Sequence, residues 1–351
     1  MTDKPAIRAR ADALRARFEA AGAEVFEAEV LQPAGALLDL YGEDIRARAF
    51  VTHDPLRGEM MLRPDFTLPL VQRHMAEGRG EAVYTYAGEV FRRQEDDPSR
   101  TAEYIQVGYE MFNGAEPPDA EAQVFAMFSS MLEEYDLRVS MGDIGLLRAA
   151  IDGLSTTDER KAALLHHIWR PGRFRRLLSR FGTDAAPAKT VATTAAEIGL
   201  RSRAEVQARL EARASSAGTP PLAASETALI DELLAVKGGA GEAMARLRDI
   251  AGDMPAIGPA VETLARRFDA LDARGVSVDA IGFEANYGRT TLEYYDGFVF
   301  GFYAGARPDL PPIATGGRYD ALTRAIGGAD GVPAVGGVIR PGLLVALEEA
   351  S

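Results

Sequence analysis

The chain has 351 residues, a formal net charge of -13 at pH 7 and no cysteine. The lack of cysteine excludes disulfides, thiolate metal sites and a cysteine nucleophile. The acidic balance argues against a nucleic-acid partner, because such proteins usually turn a basic face to the phosphates. The N-terminus lacks a signal peptide, and no apolar run of about 18 residues occurs, so we expect a cytoplasmic protein without membrane contact.

The pattern of apolar residues predicts strands in hairpins separated by helices. Before residue 157 the expected elements are a helix over 3–21, a strand over 26–30, short strands at 50–52 and 59–62, a helix over 68–75, a strand–loop–strand over 84–112, a helix over 119–135, a strand over 137–141 and a helix over 143–152.

The middle of the chain has a different composition. Ala, Leu, Arg and Glu dominate residues 157–272, which predicts an all-helical insert. The strand pattern returns over 276–284 and 291–303, where Asp296-Gly297 predicts a type I′ turn, and a final strand at 335–339 precedes a helix. The expected fold is therefore α+β, an antiparallel sheet flanked by helices, with 1–156 and 273–351 forming one core.

The strand–loop–strand segment is the most informative part of the sequence. Two alternating stretches, Tyr84–Phe91 and Tyr104–Phe112, flank a polar loop and predict antiparallel strands. The pattern places Arg92 at the end of the first strand, and Gln106 and Glu110 on one face of the second. An arginine that can pair with a carboxylate, facing a glutamate that can pair with an ammonium, suits an amino-acid ligand.

A second candidate segment, Leu62-Arg63-Pro64-Asp65-Phe66-Thr67, follows a strand and opens a helix. Asp65 and Thr67 are ordinary capping residues, and taken alone this interpretation is favoured. The segment also resembles Leu-Arg-Pro-Glu-Gly-Thr of histidyl-tRNA synthetases, whose acid and threonine hold the amino group of the substrate. The hairpin resembles motif 2 of class II aminoacyl-tRNA synthetases. Together with the hairpin, the substrate-binding interpretation of Asp65 and Thr67 is favoured over the capping interpretation.

Two later segments extend the resemblance in the same order along the chain. Gly316-Gly317-Arg318-Tyr319-Asp320 resembles the family's Gly-Gly-Arg-Tyr-Asp, and Leu292-Glu293-Tyr294-Tyr295 resembles Leu-Asp-Tyr-Tyr, the strand that cradles the imidazole. Alone, these would be a turn and an aromatic strand. The resemblance implies a class II synthetase core, a homodimer formed through the first long helix and the strand after it, and a histidine pocket. Its expected residues are Asp65, Thr67, Arg92, Gln106, Glu110, Leu292, Tyr294, Tyr295 and Tyr319.

The positions that handle ATP depart from the family pattern. Amino-acid activation needs fixed positive charge at the α-phosphate. Thr290 stands where the family has an arginine, and Arg289 is one residue away, which in a strand is the opposite face. Leu343 occupies the motif 3 arginine position, with Arg340 three residues earlier, and Gln94 replaces the acid that contacts adenine. The chain ends soon afterwards, so we expect no anticodon-binding domain.

A kept amino-acid pocket without ATP chemistry resembles the regulatory subunits of ATP phosphoribosyltransferase in histidine biosynthesis. The resemblance implies a non-catalytic protein without metal or cofactor, a short catalytic subunit as partner in a hetero-octamer, and feedback inhibition by histidine. One alternative is a minimal histidyl-tRNA synthetase-like ligase with an altered ATP site, favoured if Arg289 and Arg340 point into the pocket. Another is an RNA-binding synthetase-like module, although the net charge argues against tRNA binding.

Overall fold

The computed structural model describes residues 3–35, 49–93, 100–112, 116–183, 202, 206–207, 219–289, 295–328 and 331–349. Its helices are α1 (Lys4–Ala20), α2 (Thr67–Glu77), α3 (Pro117–Met131), α4 (Ile144–Asp152), α5 (Asp158–His166), α6 (Pro171–Phe181), α7 (Ala224–Ala235), α8 (Ala240–Asp253), α9 (Gly258–Asp272), α10 (Asp320–Gly327) and α11 (Pro341–Glu348). Its strands are β1 (Glu24–Val25), β2 (Leu31–Pro33), β3 (Val51–Asp54), β4 (Gly58–Leu62), β5 (Ala82–Phe91), β6 (Glu103–Phe112), β7 (Leu137–Asp143), β8 (Lys237–Gly239), β9 (Gly282–Glu284), β10 (Phe298–Ala304), β11 (Ala314–Arg318) and β12 (Ala334–Ile339).

A nine-stranded sheet organises the molecule, with strand order β1-β5-β6-β12-β11-β10-β7-β9-β8. Neighbouring strands are antiparallel except for β1–β5 and β7–β9. The predicted hairpin forms its longest pairing, from Ala82 opposite Phe112 to Phe91 opposite Glu103. Because side chains alternate along a strand, the even-numbered residues of β5 and β6 share one face. The prediction of an α+β fold with a mostly antiparallel sheet is confirmed.

One face of this sheet is closed by helices α1 and α3 through aromatic packing. The ring centroid of Phe128 lies 5.7 Å from that of Phe18 and 5.4 Å from that of Phe300. Phe125 adds contacts at 5.4 Å to Phe300 and 5.5 Å to Phe302. Buried aromatic rings contribute large apolar areas, so this side is a hydrophobic core rather than a ligand site.

The opposite face is covered at one end by α2. Leu68, Leu70 and Val71 bury the inner side of this helix against Tyr84 and its neighbours on β5. Gly78 caps the C-terminal end of this helix, and its left-handed φ of 64° suits a residue without a side chain. Since α2 begins at Thr67, its first turn lies directly against the sheet face that carries Glu110.

The predicted strand over 26–30 is wrong. The chain pairs at β1, and Phe26 then donates only one further hydrogen bond, to Thr85 O at 2.8 Å. It crosses next to the smaller sheet, β2-β4-β3, where Arg63 N donates to Val30 O at 2.8 Å. The strand partners β5 and β4 lie far along the chain, and the residues that pair with them fall on either side of the predicted segment.

The type I′ turn predicted at Asp296-Gly297 is also wrong, because neither residue has a positive φ. Their backbone groups bind other elements instead. Asp296 N donates to Arg318 O at 3.0 Å, and Ile144 N donates to Gly297 O at 2.9 Å. The segment crosses between the end of β11 and the start of α4, and local turn chemistry gives way to these tertiary hydrogen bonds.

The segment expected as a helical insert, 157–272, is mainly helical where the structure describes it. One exception is β8, which pairs with β9 at the edge of the large sheet, with Lys237 opposite Glu284. Helix α9 packs against α3 and places Arg267 in a buried position. The domain boundaries at 157 and 272 stay a prediction.

Candidate functional site

Glycines create room on the sheet face opposite α3. Four of them lie on this face in adjoining strands, namely Gly108, Gly301, Gly317 and Gly336. A Cβ atom would overlap Tyr86 at Gly108, and the Glu110 carboxylate at Gly336. At Gly317 it would lie 3.0 Å from the ring of Tyr295. Polar and aromatic side chains therefore lie directly on the backbone, which only glycine permits.

Glu110 occupies the centre of this face and is 1% exposed. Its Oε1 accepts hydrogen bonds from the hydroxyls of Thr67 at 3.1 Å and Tyr86 at 3.0 Å, and its Oε2 accepts from Tyr319 at 2.8 Å. Burial raises the pKa of Glu110 to about 7, opposed by these hydroxyls and assisted by the charge of Asp65. The carboxyl can therefore change its protonation state near neutral pH.

Asp65 and Arg92 lie beside each other at the edge of this face. Asp65 Oδ2 is 3.6 Å from Arg92 Nη2, and Arg92 Nε donates to Pro64 O at 2.7 Å. Burial raises the pKa of the Asp65 carboxyl, whereas the Arg92 charge lowers it. Leu68 N lies 3.4 Å from Asp65 Oδ1, a long capping bond, and the N-cap of α2 is Phe66. Asp65 thus contributes only weakly to the cap and lies beside Arg92 at the edge of this face.

Gln106 lies on the same face and is 1% exposed. Neither its Nε2 nor its Oε1 has a hydrogen-bond partner among the described residues. A buried amide left unpaired costs about 1–3 kcal/mol, so most buried amides in proteins are satisfied. Gln106 therefore has a donor and an acceptor on this face that no described residue satisfies, which favours a ligand-binding position.

The structure brings seven of the nine predicted site residues to one region. They are Asp65, Thr67, Arg92, Gln106, Glu110, Tyr295 and Tyr319. The other two, Leu292 and Tyr294, lie outside the described residues. Tyr86 is not among the predicted residues, although the strand register places it over Gly108, next to Glu110. Tyr86 has an even-numbered position on β5, on the same face as Gln106 and Glu110, and this alternation could have identified it.

The two arginines that could restore an ATP site take different directions. Arg289 Nε donates to Ile168 O at 2.8 Å, and its guanidinium lies 4.8 Å above the ring of Phe174. Burial lowers the pKa of Arg289 to about 10. Arg340 Nη1 donates to Pro312 O at 2.6 Å, and its pKa is lowered mainly by burial and further by Arg92. Arg289 therefore packs on α6, whereas Arg340 follows β12 at the position opposite Gln106.

Gly336→Ala tests the close approach of Glu110 to the sheet. The new methyl group would overlap Glu110 Oε2 and lie 2.7 Å from Tyr109 O. Overpacking a filled site of this kind costs about 1–3 kcal/mol, so we expect that loss in urea-induced unfolding. Gly239→Ala, with nothing within 4 Å of the added carbon, is the control. Equal stabilities of the two variants would contradict the packing described here.

The raised pKa of Glu110 predicts how stability depends on pH. The protonated carboxyl favours the folded state, so its contribution is complete below the unfolded pKa of 4.5 and is lost as pH rises through about 7. One pKa unit corresponds to about 1.4 kcal/mol. From about pH 5 to about pH 8, wild type should lose a few kcal/mol relative to Glu110→Gln in urea-induced unfolding. Parallel pH profiles would show that the pKa is not raised.

Two kinds of feature are not found in the part of the chain that the structure describes. No helix there is long and apolar enough to cross a bilayer. Within the same ranges, no three His, Cys, Asp or Glu side chains cluster in a way that could hold a metal ion.

Comparisons with known proteins agree with the fold and the sequence motifs. The family model of histidyl-tRNA synthetase matches residues 3–217 and 188–341. A protein of Rhizobium leguminosarum bv. trifolii, named ATP phosphoribosyltransferase regulatory subunit, is 30% identical over 355 residues, covering 92% of this chain and 93% of the relative. A protein of the same name from Brucella canis is 28% identical and covers 93% of each chain.

Solved structures support the fold at lower identity. One from Bacillus halodurans, described as an ATP phosphoribosyltransferase regulatory subunit/histidyl-tRNA synthetase, has a TM-score of 0.70 at 18% identity, covering 97% of this chain and 78% of that one. Histidyl-tRNA synthetase from Nostoc sp. PCC 7120 has a TM-score of 0.67 at 17% identity, covering 99% and 73%. The class II synthetase fold is thereby confirmed. With these relatives, the chain belongs to the family of ATP phosphoribosyltransferase regulatory subunits, which share the fold of histidyl-tRNA synthetase.

Proposed function

We propose that this chain binds histidine and transmits its presence to a short ATP phosphoribosyltransferase catalytic subunit, which it activates and feedback-regulates. Family membership makes it a non-catalytic subunit of a phosphoribosyltransferase complex. The ligand, the direction of regulation and the partner's short form are the proposed parts. We place this assembly in the cytoplasm as a hetero-octamer.

One observation carries the histidine proposal, namely the distribution of charge along the buried sheet face. Arg92 lies at one end beside Asp65, the unpaired amide of Gln106 follows, and Glu110 lies deeper among three hydroxyls. An amino acid carries its ammonium and carboxylate on one carbon, so a neighbouring acid and arginine suit that end. A buried carboxylate farther along the face suits a side chain with an N–H donor.

We propose a role for each predicted site residue. Arg92 would pair with the ligand carboxylate, and Asp65 and Thr67 would hold its ammonium. Glu110 would accept a hydrogen bond from the imidazole N–H. Tyr295 and Tyr319 would flank the ring, and Gln106 would complete its hydrogen bonds on the ligand's polar end. Leu292 and Tyr294 stay predicted members of the site.

The edge of the sheet supports a homodimer within this assembly. Val25 is 43% exposed, Val30 41% and Leu31 36%, and all three lie where β1 and β2 form sheet edges after α1. Unpaired strand edges with apolar side chains favour pairing with another chain. A second copy is the proposed occupant, in keeping with the dimer implied by the sequence resemblance.

The ligase alternative has one observation in its favour, because Arg340 follows β12 at the position opposite Gln106. Arg289 argues against it, since its guanidinium packs on Phe174 instead. Histidine-dependent exchange of pyrophosphate into ATP by the purified protein separates the two hypotheses. Exchange at ordinary enzyme rates would favour the ligase and contradict a purely regulatory role.

The proposed function is tested by titrating histidine calorimetrically into the lone subunit, its complex with a short catalytic subunit, and that complex with phosphoribosyl substrate. Histidine can regulate only by binding one assembly state better than another, and this coupling is reciprocal. We expect different histidine affinities in the three samples, together with histidine inhibition of the complex. Identical affinities with intact inhibition would place the regulatory site elsewhere, and no binding to any sample would remove histidine as the ligand.

A further inference from the structure

The strand register brings Arg340 to the pocket at its polar end. The last pair between β12 and β6 joins Ile339 to Val107, so in an antiparallel pair the next opposed residues are Arg340 and Gln106. Arg340 keeps an extended backbone, with φ −107° and ψ 92°, and its N donates to Ile313 O at 2.9 Å. Opposed residues have Cβ atoms about 4.5–5.5 Å apart, so Arg340 starts beside the buried amide.

The Arg340 side chain is oriented by contacts on this side of the sheet. Its Nη1 donates to Pro312 O at 2.6 Å, and the neighbouring Tyr104 raises the pKa of Arg340. No ion pair joins Arg340 to a carboxylate within the described ranges, although burial already disfavours its charge. A guanidinium has five N–H donors, so the hydrogen bond to Pro312 uses only part of its capacity.

Arg92 contributes a second guanidinium to the same end of the face. The charge of Arg92 lowers the pKa of Arg340, because like charges disfavour the charged form of each other. The pairing of Arg92 with Asp65 is long, at 3.6 Å between Nη2 and Oδ2. Two arginines that repel each other next to an unpaired amide are stabilised by an anion that contacts all three.

We propose that Arg340 is a second carboxylate-binding arginine of this pocket, and that it holds the ligand carboxylate together with Arg92, beside the amide of Gln106. This inference rests on the proposed function, because it takes an amino acid as the ligand. It adds a specificity: the pocket selects a free α-carboxylate and discriminates against the corresponding amino alcohol. The sequence pattern did not assign this role, since Arg340 matches no arginine of the family's motifs.

The test compares two ligands that differ only at the proposed contact. Histidine and L-histidinol, in which a hydroxymethyl group replaces the carboxylate, are titrated calorimetrically into wild type and Arg340→Met. Wild type should prefer histidine. Loss of a charge-assisted hydrogen bond lowers affinity by about ten- to hundredfold. Arg340→Met should therefore lower the affinity for histidine by that factor and leave the affinity for histidinol unchanged.

Two further variants separate ligand binding from structural support. Arg307→Met removes an exposed arginine that pairs with Asp309 in the same loop as Pro312, and it should keep the wild-type preference. Arg340→Lys keeps the positive charge and should retain part of the preference for histidine over histidinol. If Arg340→Met lowers the affinities for histidine and histidinol by the same factor, or changes neither affinity, the proposed carboxylate contact is contradicted. If wild type binds neither ligand, the proposed function fails together with this inference.

Discussion

Glu110→Ala is expected to lower histidine affinity by about ten- to hundredfold, because a charge-assisted hydrogen bond contributes about 1.5–3 kcal/mol in a buried pocket. The substitution removes the acceptor that Thr67, Tyr86 and Tyr319 share, so the pocket loses its acid and its hydroxyls lose their fixed directions. Calorimetric titration of the purified subunit measures the affinity, and inhibition of the complex reports the loss of regulation.

Glu103→Ala provides the matched control for this prediction. Glu103 lies at the exposed start of the same strand, with a loose ion pair of 3.7 Å to Lys4. Its removal should leave histidine affinity at the wild-type value. The assignment of Glu110 to the ligand fails if both variants bind histidine equally, or if Glu110→Ala retains full inhibition in the complex.

Arg267→Met is expected to cause the largest loss of stability, about 3–5 kcal/mol, because it leaves the buried Asp143 without its cation and removes one of the two arginines that pair with Glu121. Arg267 Nη2 lies 2.8 Å from Asp143 Oδ2, and its Nε donates to Glu121 Oε2 at 2.5 Å. The side chains of these three residues are 1%, 6% and 2% exposed, in the order Arg267, Asp143, Glu121. Urea-induced unfolding measures the effect.

The neighbouring Arg266→Met is the control in the same helix. Arg266 pairs with Glu116 at 3.4 Å, and both side chains are largely exposed, so the expected loss is about 0–1 kcal/mol. The comparison keeps helix propensity and side-chain size constant. Similar losses in the two variants would mean that burial of the Arg267 ion pairs does not decide their contribution.

The Arg267 ion pairs also join helix α9 to Glu121 on α3 and Asp143 on β7, and Glu121 continues to the segment that carries Tyr319. Arg318 Nε donates to Glu121 Oε1, and Arg318 Nη1 lies 3.0 Å from Asp320 Oδ1. Tyr319, between these two residues, donates its hydroxyl to Glu110. The Gly-Gly-Arg-Tyr-Asp segment, which the sequence analysis associated with the pocket, therefore divides its side chains between structural ion pairs and the candidate site.

Several features of the site could be predicted from local patterns. Alternation of apolar residues gave the β5–β6 hairpin and placed Gln106 and Glu110 on one face, because side chains in a strand repeat every two residues. The spacing of apolar residues in α1 predicted its buried side, with Ile7, Leu14 and Phe18 inside. These patterns depend on neighbours in sequence, which is why they can be recognised without the fold.

The sequence by itself determined the α+β class and the hairpin, and it predicted which residues form the candidate site. Only the tertiary structure decided that Thr67, Tyr86 and Tyr319 converge on one carboxyl of β6, and that the amide of Gln106 stays unpaired. It also separated Arg289 from the pocket and brought Arg340 to it. These contacts join residues far apart in the chain, and no local periodicity records them, because they depend on strand order and register across the sheet.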